Sequence, residues 1–146
     1  MKDYLGLHEI EAKEADYLYT GTSQIPDSGQ GLYTAIPIYK DEIISLFAGE
    51  SISSKEAAIR ANNGEDTFFI NMPDGSILDS MHVNCFAKYA NDPMGIVKSA
   101  FKSNSKISLD EHQRVCIVAK RKIKEGEEIF CGYGKRYWEN YRKKYE

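Results

Sequence analysis

Near its C-terminal end the chain reads IFCGYGKRYW over residues 129–138. Tyr133 sits between two glycines, with Tyr137 and Trp138 just beyond. Such residues could wall a small site, because a phenol joins a flat apolar face to a polar tip. They could equally be the last turn of a core or, with Lys135 and Arg136, a basic-aromatic grip on nucleic acid. The chain holds ten tyrosines in 146 residues, which makes the site reading worth following. Upstream, Ser28-Gly29-Gln30-Gly31 contains two glycines one residue apart. Glycines so placed let backbone N–H groups approach a carboxylate or phosphate, and they also make ordinary turns. No GxxxxGK[ST] follows and no third glycine opens a long helix, so a P-loop and a dinucleotide fingerprint are both excluded. Asn84 and Asn91 are amides in the mainly apolar run DSMHVNCFAKYANDP, where either could cap a turn. His8, His82 and His112 share no metal spacing, and Cys85, Cys116 and Cys131 form no CxxC, so no metal site is expected. Cys131 lacks a suggested His partner and is a poor nucleophile candidate.

The elements that must position these residues are mostly strands. Runs at 31–38, 42–48, 68–72, 76–78, 106–109, 114–119 and 128–131 are β-rich or apolar and broken by turn residues. Asp74-Gly75 supports a hairpin, and Asp110-Glu111 supports another. Ser53-Ser54-Lys55-Glu56 has the form of a capping box, with Ser53 at the N-cap and Glu56 at N3, opening a helix that Asn62-Asn63-Gly64 stops. Residues 1–20 read as a short helix or an extended lead-in. Tyr137, Tyr141 and Tyr145 fall on one face of a terminal helix, with Trp138 beside it. Without regular βαβ alternation, the expected class is mainly β with short helices, α+β rather than doubly wound.

Composition sets the outer limits. At 146 residues one domain is expected, with a core of its own. The formal net charge is −3, which argues against direct nucleic-acid binding. The segment KRKIK at 120–124 and the tail at 135–144 are nevertheless basic. The first residues hold no apolar leader and no run approaches a membrane span, so no membrane association is expected. An odd cysteine count then points to a reducing, intracellular setting, nucleus or cytoplasm.

Taken in order, the GxG, FAGESI, LDSMHVNCFAKYAND and RVCIVAKRKIKEGEEIFCGYGKRYW resemble the SET domain of protein-lysine methyltransferases. The resemblance runs from about residue 23 to residue 138. It implies three parts: a lead-in at 1–22, a catalytic domain at 23–138 and a helical tail at 139–146. The fold it implies is several small sheets around a threaded, knot-like C-terminal core. It also implies a reaction, transfer of methyl from S-adenosylmethionine to a lysine amine of a protein, with histones among the candidate substrates.

Residue by residue, Gly29, Gln30 and Gly31 resemble the loop that holds the amino-acid end of the donor. Asn91 and Asp92 fall where the family has Asn-His, and the His-to-Asp exchange bears on adenine affinity. Ala48-Gly49-Glu50 resembles the Gly-Glu strand end, with Phe47 at a position often Tyr. Gly126-Glu127-Glu128-Ile129 resembles GEEL. Tyr133 resembles the catalytic Tyr of the Tyr-Gly pair and, with Trp138, also contacts the donor. Phe47, Phe68 and Tyr137 would line the lysine channel. Asn104 stands for a second family Asn, which implies an insertion over 94–103. The competing readings are a SET-like interaction module of weak activity and, less favoured by charge, a nucleic-acid binder using KRYWENYRKKY.

Overall fold

The computed structural model describes residues 6–66, 68–72, 75–93 and 101–132. Eleven strands among these form three sheets. β9 (Val115–Ala119) is central to the largest, whose order is β1 (His8–Glu9), β4 (Glu42–Leu46), β9, β8 (Ser105–Leu109), β11 (Cys131–Gly132). All five β9 residues are buried, which is why its sequence reads as an unbroken apolar run. Cys116 and Val118 pack with Leu7 on one face, and Val115, Ile117 and Ala119 enter the main core on the other. β8 and β9 pair as the hairpin expected at Asp110. Gln113 there takes a φ of 64° and donates its N–H to the Asp110 carbonyl.

A second sheet runs β10 (Glu128–Ile129), β3 (Gln30–Thr34), β2 (Leu18–Thr22). Leu32 and Ile129 carry its weight in the core with no exposed surface, and Tyr19 stacks on Tyr33 at 5.5 Å between ring centroids. The third sheet runs β5 (Glu50–Ile52), β7 (Ile77–Asp79), β6 (Phe69–Asn71). Over it lies α2 (Ser54–Asn62), capped by Ser53, whose hydroxyl accepts the Glu56 N–H at 3.1 Å. The described residues also include a four-residue α1 (Glu14–Tyr17) and a 3₁₀ turn (Ala87–Tyr89). The mainly β class with short helices is therefore as expected.

Two differences from the sequence reading matter for the site. Residues 128–131 are not one strand. Ile129 ends β10 in one sheet, Cys131 begins β11 in another, and Phe130 makes the crossing. Asn104 makes that crossing affordable in hydrogen bonds, since its backbone and side chain serve both Phe130 and Glu128. Within the lead-in, read as a short helix or an extended segment, residues 6–22 also pair into the sheets. β1 joins the largest sheet, β2 pairs along β3, and the Tyr17 hydroxyl donates to the Ile44 carbonyl at 2.7 Å. The expected terminal helix falls outside the described residues.

Candidate active site

The glycine pair lies where β2 turns into β3. The Ser23 N–H donates to the Gly29 carbonyl at 2.8 Å and closes the turn. Asp27 and Gly29 both take positive φ, 62° and 66°. Gly29 is exposed, and among the described residues its N–H has no protein partner. Gly31 matters for a different reason. A Cβ there would fall 2.3 Å from Glu128 Oε2, so the carboxylate occupies the space a side chain would need.

Three distant segments meet at this turn. Asn91 donates its side-chain N–H to the Gln30 carbonyl at 3.0 Å. Its own carbonyl accepts the Cys131 N–H at 3.0 Å, so Asn91 ties the glycine turn to the strand that leads into residue 133. Glu128, with no solvent exposure, accepts the Ser23 hydroxyl at 2.7 Å and the Gln24 N–H at 2.8 Å. The Tyr33 hydroxyl donates to the Thr22 carbonyl at 2.5 Å and lies 3.3 Å from Glu128 Oε1. Burial first, and then the Glu128 charge, push the Tyr33 phenol above its ordinary range.

Beneath the crossing, Asn104 uses both ends of a fully buried amide. Its oxygen accepts the Phe130 N–H and its nitrogen donates to the Glu128 carbonyl, each at 2.9 Å.

A separate cavity of about 470 Å³ is lined by Phe47, Phe68, Ala57, Ile70, Ser80 and Lys88, among others. Phe47 comes from the residue after β4, and Phe68 precedes β6. Gly49 lets these layers close, since a Cβ there would fall 2.4 Å from the Asp79 carbonyl oxygen. The Ser80 hydroxyl donates to the Ala48 carbonyl at 2.7 Å across the same gap. The Lys88 ammonium donates to the carbonyls of Ser80, Met81 and Val83 and lies 5.3 Å from the Phe68 ring centroid. On the helix side, Arg60 binds buried Asp79 at 2.8 Å and also holds Glu50 and Glu56. The walls suit an aliphatic chain, while the open turn offers a backbone donor backed by a buried carboxylate.

The structure thus brings Gly29, Gln30, Gly31 and Asn91 together, with Asp92 next to them, and sets Phe47 and Phe68 around one cavity. Tyr133, Tyr137 and Trp138 lie outside the described residues. Sequence reasoning gave no role to Ser23, Arg60 or Lys88, and it knew Glu128 only as a letter in GEEL. Glu128 stands next to Glu127 at the head of the apolar run IFC, and nothing local marks it as the one that turns inward.

The SET domain family profile matches residues 29–134. The chain is a SET-domain protein. Histone-lysine N-methyltransferase mes-2 of Caenorhabditis elegans is 30% identical over 118 residues, 79% of this chain and 15% of that protein. Histone-lysine N-methyltransferase CLF of Oryza sativa subsp. japonica is 30% identical over 127 residues, 83% of this chain and 13% of the relative. Among solved structures, a chain in the crystal structure of an active polycomb repressive complex 2 in the basal state superimposes with a TM-score of 0.67. It is 25% identical, and the match covers 80% of this chain and 15% of that one. This SET chain therefore spans only a small part of the length of the relatives it matches.

Proposed function

We propose that this SET domain is a protein-lysine N-methyltransferase that uses S-adenosylmethionine, with histones the first substrates to test and the nucleus or cytoplasm its setting. The observation that supports this most is the Asn91 amide on the Gln30 carbonyl, because it fastens the glycine turn to the strand entering residue 133. On this reading 23–138 is the catalytic unit, preceded by the lead-in 1–22 and closed by the tail 139–146.

The donor supplies an activated methyl on a cationic sulfur. The open turn at Gly29, with Gln30 and Gly31, receives its amino-acid end, while Asn91, Asp92 and Trp138 complete its contacts. Phe47, Phe68 and Tyr137 line the acceptor channel. The acceptor amine must be neutral to attack, and at pH 7 that costs roughly 4.6 kcal/mol from an ordinary lysine pKa. An apolar channel lowers this cost by disfavouring the ammonium. The Lys88 ammonium in the cavity wall acts in the same direction by like-charge repulsion. Tyr133 orients the amine through its hydroxyl, and alignment supplies several kcal/mol more.

Calorimetry with S-adenosylmethionine, followed by labelled-methyl transfer to histones and cell extract, tests the proposal. Donor uptake with a mapped methyl-lysine is the expected result. No heat at millimolar donor would favour instead an interaction module, for which Asp92 in the family's His position is the supporting departure.

A further inference from the structure

Glu128 is a carboxylate buried away from any cation among the described residues. Its side chain has no exposure, and no Lys or Arg among the described residues forms an ion pair with it. Burying a charge without a cation is costly unless hydrogen bonds compensate. The two strongest of those bonds come from Ser23 and Gln24, the residues that open the glycine turn. The Ser23 hydroxyl is engaged twice, since it also accepts the Ile25 N–H at 3.1 Å. Oε2 meanwhile fills the space behind Gly31. The carboxylate is thus directly behind a turn whose open side is exposed.

We propose that Glu128 is a positioning residue for a cationic ligand: it fixes the turn at 23–31 from behind and supplies the negative charge against which a sulfonium donor is held. The inference rests on the transferase reading and deepens it. Its consequence is a preference by charge. The donor S-adenosylmethionine carries a cationic sulfur, and the product S-adenosylhomocysteine has the same groups around a neutral one. A negative charge behind the turn favours the first over the second and so assists product release.

The test is calorimetry of both ligands against the wild-type chain, Glu128→Gln and Ser23→Ala. Glu128→Gln should weaken the donor by about tenfold, as expected for loss of a charge acting through protein at short range, and the product far less. Ser23→Ala keeps the charge but releases one tie, and should weaken both ligands alike by roughly threefold to tenfold, the range of one hydrogen bond. Should Glu128→Gln fail to fold, Ser23→Lys neutralises the carboxylate from the turn side and should shift the preference in the same way. Equal losses of donor and product in Glu128→Gln (or in Ser23→Lys if that variant replaces it), or no loss in any variant, overturn the proposal. A wild-type chain that binds neither ligand overturns the transferase reading itself.

Discussion

Asn104 and Glu128 illustrate what single residues contribute. Both are fully buried and polar, and both serve the crossing at Phe130. Asn104→Leu keeps the volume but leaves the Phe130 N–H and the Glu128 carbonyl without a partner. It should cost about 2–4 kcal/mol, on the usual penalty for orphaned buried groups, read as a lowered urea midpoint with the slope unchanged. Asp110 gives the pH dependence. Burial alone would raise its carboxyl, but the Arg114 and His112 N–H groups and the Arg114 guanidinium together outweigh that and hold it below the usual range. Its folded value is depressed, so its stabilisation is present above the ordinary carboxylate range and lost as pH falls through the folded value. Asp110→Asn should therefore flatten the acid limb of stability, followed by urea midpoints from neutral pH downward. For the chemistry, Tyr133→Phe should lower methyl transfer by roughly 100-fold, as for other lost transition-state hydrogen bonds, while calorimetry finds donor affinity unchanged. Asn91 was legible only through the resemblance of residues 84–91 to the family motif, since by itself such an amide could simply cap a turn. Glu128 was not, because it follows another glutamate. Glu127 pairs with Arg121 near the surface and Glu128 turns inward, and no local pattern says which does which.

At the level of elements, the long-range pattern was easier to read than the short strands. The capping box gave α2 its start, and the apolar run gave β9. β1, β2 and β5 were missed: β1 has two residues, β5 has three, and β2 carries a glycine and mostly exposed side chains. Their pairing comes from partners far along the chain rather than from their own residues. The single strand expected at 128–131 failed for a related reason, since a change of sheet leaves no mark on period-two alternation. α2 makes the element-scale prediction. Little of it is buried beyond Ala57, so Arg60, reaching Asp79, Glu50 and Glu56, anchors it beside the cavity. Arg60→Met should speed amide exchange across 54–62 and leave the β8–β9 hairpin unaffected. Equal exchange across 54–62 in Arg60→Met and the wild-type chain would show that apolar packing alone seats the helix.

For the whole molecule, burial sorts the thiols. Burial pushes Cys116 and Cys131 up to about 12, while Cys85 is only half-buried beside the Ala48 carbonyl. Thiolate is the reactive form. Alkylation of the native chain at pH 8 should therefore label Cys85 well before the other two, with all three reacting in urea, as mass spectrometry of peptides would record.

The hydrogen bond between Ser23 and Glu128 joins residues 105 apart in the chain. Contacts of such separation form late, because the intervening chain must first be gathered in. A growing polypeptide has therefore completed most of its length before the groove behind Gly31 is filled. Until then the turn is an untethered hairpin end. Any ligand that recognises the finished turn consequently reports on whether synthesis and collapse have run to completion, and a chain stopped short of residue 128 would be invisible to it.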